Sequence, residues 1–208
     1  MTLELDHVFC MVDDLEPACS RLAGEGWPLD AGTVHSGEGT SNRRLVWPEH
    51  HLELLSVYDW KAAVASPLGL ALRARWRTTG ASPFGVGLRG QLPEADREDY
   101  WLHEERGARI WMHRDNERAP ERPLVFIVEA VGEQMEARRP RTSHAGLLRD
   151  WDGPELRELR LFGPTPCRLP PHAGPPIVQA AAAHRLELVA GDGELLEITP
   201  ILRISRLR

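Results

Sequence analysis

The sequence predicts an α+β fold in which a βα(ββ) theme recurs, and three observations carry that expectation. Leu3 to Val12 alternate as a strand does and pass directly into helical spacing from Leu15. Two short alternating runs around a Pro48-Glu49-His50 turn close the first unit as a hairpin. After residue 80 the order strand, helix, strand, strand returns. With 208 residues there is room for one large domain or two small packed units, and 42% hydrophobic against 27% charged residues is the balance of a globular chain.

In order, the first strand ends at Asp13-Asp14, good helix N-cap residues, and Leu15, Ala18, Cys19, Leu22 and Ala23 recur at helical spacing until Gly24. Short strands are expected at Trp27 to Val34, Arg43 to Trp47 and His51 to Val57, so residues 1–58 read βαβββ. Residues 59–80 read as a linker, with Trp60 to Thr79 one connecting helix rich in Ala, Leu and Arg and Pro67 in a first-turn position. Residues 81–208 form a divergent second unit. Strands are expected at Phe84–Arg89, Ala108–His113 and Leu124–Val131, with a charged helix from Pro93 to Arg106 that places His103 on a solvated surface. Glu133 to Pro154 is polar and receives no assignment. A strand follows at Glu155–Phe162, a proline-rich loop at Pro164–Pro176 and a short helix at Ile177–Ala183. Residues 185–201 read as a closing hairpin around Gly191-Asp192-Gly193.

A net charge of −6 argues against a surface that coats nucleic acid. No apolar run reaches the length of a membrane-spanning helix, and the acidic, alternating start is unlike a signal peptide. A cytoplasmic protein with neither nucleic-acid nor membrane partners is therefore expected. Cys10, Cys19 and Cys167 are odd in number and lack CxxC spacing, so they read as small buried hydrophobes. The short basic run Arg138-Arg139-Pro140-Arg141 reads as an exposed loop, with anion capture as its other reading.

Two polar residues stand where apolar ones are expected. Strict alternation puts His7 on one face with Leu3, Leu5, Phe9 and Met11, and puts Glu53 with His51, Leu55 and Val57. A carboxylate on an apolar face needs a hydrogen bond, an ion pair or a cation. Alone, His7 reads as a hydrogen-bonded core histidine and Glu53 as a strand-end carboxylate; together they admit a shared divalent metal, though their spacing is no metal motif in itself. The loop His35-Ser-Gly-Glu-Gly-Thr40-Ser-Asn42 offers backbone N–H groups and short polar side chains to a ligand, or serves as a plain hairpin connection. Trp47 reads either as core or as pocket wall, and His51 as a neighbour of Glu53.

Leu5-Asp-His7-Val, Val12-Asp-Asp14-Leu15, His35-x-Gly37-x-Gly39-Thr40-x-Asn42 and Leu52-Glu53-Leu54-Leu55 together resemble the N-terminal module of the glyoxalase-like branch of the vicinal oxygen chelate superfamily. Asp192 to Ile198 resembles the closing hairpin of such modules, and Leu124–Glu129 its apolar strand ending in an acid. The resemblance implies paired βαβββ modules forming curved, half-open mixed β-sheets around a pocket. It implies metal ligands at His7 and Glu53, a proton-moving carboxylate at Glu197 or Glu129, and substrate contacts from His35, Thr40, Asn42, Trp47 and His51. Phe84–Arg89 and Leu156–Leu161 lack the second first-strand histidine of metal-using members; only His144 lies nearby in sequence. The implied cofactor is a divalent metal, Mn, Fe, Ni or Zn, with no organic cofactor. The implied partner is a small molecule with vicinal oxygens, worked on by an isomerase, lyase or dioxygenase. Two alternatives stay open: a metal-free binder that sequesters a small apolar or aromatic compound, and a structural module that pairs as a homodimer.

Overall fold

A computed structural model of the chain describes residues 2–105, 108–129, 148, 151–191 and 193–207. Most of the unassigned stretch, including Arg138, Arg139, Arg141 and His144, lies outside them, as does Asp192.

Strand β1 (Leu3–Met11) leads into helix α1 (Leu15–Gly24), which begins where the Asp14 side chain accepts from the Glu16 N–H at 3.0 Å. Strands β2 (Thr33–His35), β3 (Thr40–Val46) and β4 (His51–Val57) complete the first half. The strand expected at Trp27–Val34 shrinks to β2 plus one bridge from Leu29 to Leu45. Gly32 interrupts it at φ +78, where a Cβ would stand 1.9 Å from the Asn42 carbonyl oxygen. The connecting segment is three short helices rather than one: α2 (Trp60–Ala65), α3 (Leu70–Ala74) and α4 (Trp76–Thr79). Pro67 and the left-handed Gly69 break it.

The second half runs β5 (Phe84–Arg89), a 3₁₀ turn at Glu94–Asp99, β6 (Tyr100–Glu105), β7 (Ala108–His113), helix α5 (Asp115–Arg118) and β8 (Leu124–Glu129). The charged helix expected over Pro93–Arg106 is thus a turn followed by a strand. Tyr100, Trp101 and Leu102 are strand-formers that pair with β7, and tertiary pairing overrides the local charge pattern. These strands form one curved sheet in the order β2-β3-β4-β1-β5-β8-β7-β6. The halves meet where β1 runs antiparallel to β5, and each first strand runs parallel to the last strand of its own half.

A second sheet holds β9 (Leu156–Gly163), β11 (Ile177–Ala181), β12 (Arg185–Ala190), β13 (Leu195–Thr199) and β14 (Leu202–Ser205), while the short β10 (His172–Ala173) extends the first sheet beside β1. The short helix expected at Ile177–Ala183 is β11, whose β-branched Ile177 and Val178 pair with β9. The 185–201 hairpin is not formed. Strand β14 lies between β12 and β13, parallel to the first and antiparallel to the second, because Leu202 and Ile204 carry one more buried row into the sheet.

One face of the first sheet, helix α1 and the second sheet share a continuous core that includes Val8, Cys10, Leu22, Leu54, Leu159 and Leu188. The other face carries a smaller cluster with Phe9, Met11, Leu55, Leu70 and Phe126, and this face holds the cavity. All three cysteines are buried and free; burial pushes the Cys10 thiol up and the Cys167 thiol up to about 11, so neither offers a thiolate near neutral pH.

Candidate functional site

The cavity has a volume of about 300 Å³ and opens on the concave face of the first sheet. Its polar wall comes from the first half, with His7 on β1, His35 on β2, Asn42 and Arg44 on β3, and His51 and Glu53 on β4. Apolar groups fill the opposite wall: Phe126, Val128 and Leu124 on β8, Ile110 and Met112 on β7. Leu68, between α2 and α3, and Leu70, the first residue of α3, reach over it.

A bulge in β1 aims His7. Leu5 pairs with Leu88 and His7 with Gly87, so Asp6 is an extra residue with no opposite number. Strict alternation groups Leu3 and Leu5 with His7. In the fold they join Val8 and Cys10 in the large core, while His7, Phe9 and Met11 face the cavity side. The bulge also brings the Asp6 carboxylate to the histidine, where His7 Nδ1 donates to Asp6 Oδ2 at 2.7 Å. A carboxylate accepts only, so Nδ1 carries the proton and Nε2 is left with a lone pair. The ring is held flat against His51 at 4.4 Å between centroids, with the edge of Phe126 at 5.1 Å.

His7 Nε2 lies 3.6 Å from Glu53 Oε2. That is longer than a hydrogen bond and shorter than twice the roughly 2.1 Å reach of a zinc–imidazole or zinc–carboxylate bond. The pair therefore fits a shared divalent cation, with Asp6 behind the histidine in the place an orienting carboxylate takes. The other oxygen, Glu53 Oε1, accepts from Asn42 Nδ2 and stands 3.9 Å from His35 Nε2. Asn42 cannot flip, because its Oδ1 accepts the Thr33 N–H at 2.6 Å and its Nδ2 is within 3.2 Å of His35 Nε2. A second group of donors, Asp6, His7 and His51, has atoms within 4.8 Å of one another, all buried. An ion bound there through His7 Nδ1 would displace the Asp6–His7 hydrogen bond.

Among the described residues, the second half lines the cavity with apolar side chains only. Counting outward from the His7–Gly87 pair, His51 corresponds to Phe126 and Glu53 to Val128. Gly87 is itself dictated by packing, since a Cβ there would stand 2.6 Å from Phe126 Cζ and 3.0 Å from His7 Cε1.

Of the residues the sequence pointed to, His7, His35, Asn42, His51 and Glu53 line this cavity. Four do not. Glu129 lies on the opposite side of β8 from Phe126 and Val128, where it accepts from Trp111 Nε1 at 3.1 Å and pairs with Arg109 at 2.8 Å. Glu197 sits on β13 of the other sheet with a half-exposed side chain, beside Arg203. Trp47 is core, packed edge-on against Trp27, and Thr40 is fully buried away from the cavity lining. His103 is not a solvated helix residue: on β6, its Nε2 is 3.2 Å from Glu38 Oε1, a lining residue of the cavity. Asp6, Glu38 and Arg44 were not read from the sequence. The adjacency of Asp6 to His7 was the available signal for the first, hidden by strict alternation.

Residues 5–143 match the family model of the glyoxalase-like domain, about two thirds of the chain. The chain belongs to the glyoxalase-like domain family. This places it in the vicinal oxygen chelate superfamily, in agreement with the curled sheet and its paired halves. Among solved structures the glyoxalase-like chain is similar to a hypothetical protein from Staphylococcus aureus, with 12% identity, a TM-score of 0.60 and 99% of each chain covered. It is also similar to a methylmalonyl-CoA epimerase in complex with methylmalonyl-CoA and NH4+, at 14% identity and TM-score 0.46, over 64% of this chain and 99% of that one. The methylmalonyl-CoA epimerase from Mycobacterium tuberculosis gives 18% identity and TM-score 0.44, over 64% and 92%. No curated protein matches. No described helix is long and apolar enough to cross a membrane.

Proposed function

We propose that this glyoxalase-like protein is a metal-dependent enzyme of the isomerase, lyase or dioxygenase kind, acting on a small organic molecule that carries two adjacent oxygens. The observation that carries the reading is the 3.6 Å approach of His7 Nε2 to Glu53 Oε2 in a cavity whose far wall is apolar. A divalent cation held by these two residues would supply Lewis acidity to the adjacent oxygens. Asp6 keeps the His7 lone pair directed at the cavity, and Asn42 fixes the carboxylate of Glu53 from its other side. His35 and Arg44 line the same polar wall, where they meet the oxygen-bearing end of the substrate. Among the cavity-lining groups, His51, His35 and Glu38 are the ones able to take a proton from it. Phe126, Val128 and Ile110 take the apolar remainder and exclude water from the polar end.

Metal content of protein purified without chelators, compared with His7→Ala, tests this. Near-stoichiometric Mn, Fe, Ni or Zn that the variant loses supports the enzyme. No metal, together with no rise in melting temperature on adding any of the four, removes it and favours a metal-free binder of apolar compounds. The apolar lining that the described residues of the second half give the cavity is the observation that favours that second reading.

A further inference from the structure

A second cavity of about 230 Å³ lies beside the first, and Leu68 and Met112 line both. It follows the same concave face outward, since Met112 on β7 is paired with Trp101 on β6, and Trp101 lines only the second cavity. Two of its polar lining side chains, Arg73 and Asn116, are committed within the protein, whereas Trp101 Nε1 is buried with no hydrogen-bond partner among the described residues. The buried Arg73 guanidinium donates to the carbonyl oxygens of Ser82, Pro120, Arg122 and Asn116. The Asn116 amide is closed on the backbone of Val125, donating to its oxygen and accepting from its N–H, both at 2.8 Å. Glu117 is exposed at the rim, where it disfavours an anion. What remains for an occupant is the surface of Pro67, Leu68, Leu72, Trp101, Met112 and Pro120.

We infer that the second cavity is a subsite for the hydrocarbon tail of the substrate, with Leu68 and Met112 as the sill the chain crosses. The inference rests on the reading that the oxygen-bearing head sits at His7 and Glu53, and it narrows the substrate to one with an uncharged, largely apolar chain attached to that head. Leu68 lies between α2 and α3 rather than in a strand, so changing it removes no strand pairing.

The test is calorimetric titration of straight-chain 2-hydroxy acids, from butyrate to dodecanoate length, with Zn present and below micelle-forming concentrations. The straight-chain primary alcohols of the same lengths form a parallel series. Each buried methylene contributes about 0.8 kcal/mol, so affinity should rise about fourfold per carbon until the available space is filled. Leu68→Trp, which blocks the sill, should flatten the series at a shorter chain than in wild type. Leu68→Ala should extend the rise, and it supplies the comparison if the tryptophan variant does not fold. A flat series in wild type, or the same plateau in all three proteins, overturns the tail subsite. If the alcohols show the Leu68-dependent rise while the acids gain nothing over them with Zn, the tail subsite stands and the metal-held head falls.

Discussion

Replacing Gly87 by alanine probes the junction on which the site is built. An added Cβ would lie 2.6 and 2.8 Å from Phe126 Cζ and Cε2 and 3.0 Å from His7 Cε1, against ordinary carbon contacts of roughly 3.5–4.0 Å. The backbone has nowhere to retreat, because β5 is bonded to β1 on one side and β8 on the other. Phe126 must therefore swing by about 1 Å, and its ring rests against His7, which is stacked on His51. Overpacking of this kind costs about 1–3 kcal/mol, which for a chain of this size lowers the melting temperature by about 2–12 °C. Differential scanning calorimetry reads the shift, and a chelator-competition titration with Zn reads the loosening of His7 as weaker binding. Gly24→Ala is the control. A Cβ there meets nothing within 4 Å, and alanine in a helix gains about 0.5–1 kcal/mol over glycine. A Gly87→Ala protein as stable as wild type, with unchanged Zn affinity, would refute the packing of Gly87, Phe126 and His7 described above.

Asp6→Asn should weaken divalent-metal binding by about 10–100-fold with little change in circular dichroism, since it disturbs the orientation of His7 rather than a ligand; equal affinity in a chelator-competition titration would show that Asp6 does not orient the site. Arg73→Met should lower the unfolding free energy by at least about 3 kcal/mol in urea titrations, because four carbonyls lose their donor and each buried orphan costs about 1–3 kcal/mol. Burial pushes Arg73 down to about 10, so Arg73→Lys should recover only part of the loss. Burial lowers the pKa of His184 below its ordinary 6.5, so the unfolded chain takes up a proton there before the folded chain does. Its contribution is complete above pH 6.5 and is lost as pH falls below it; His184→Gln should flatten the decline in urea midpoint between neutral and mildly acidic pH.

Much of the polar wall was legible because burial on an apolar face is a strong constraint. His7 and Glu53 stood out as polar residues on alternating strands, and the glycine-bearing loop 35–42 turned out to deliver both His35 and Asn42. The bulge at Asp6 was not legible. It requires knowing that β5 pairs with β1, a contact between residues about eighty positions apart, and it reverses the partners of Leu3 and Leu5. Glu129 and Glu197 looked suitable by type and position, yet a one-residue change of parity turns a strand side chain to the other face, and nothing local says which sheet a strand joins. The same blindness explains the missing hairpin, since β14 enters between two strands whose sequence asks for direct pairing. Charged residues at Glu94–Asp99 concealed a strand whose partner is fourteen or fewer residues away.

The most direct measurement is an anomalous difference map from crystals soaked in Zn and recorded at its absorption edge. A peak is expected within roughly 2.0–2.2 Å of both His7 Nε2 and a Glu53 oxygen. A peak among Asp6, His7 and His51 instead, or no peak at the cavity while zinc is seen elsewhere on the protein, would contradict that expectation.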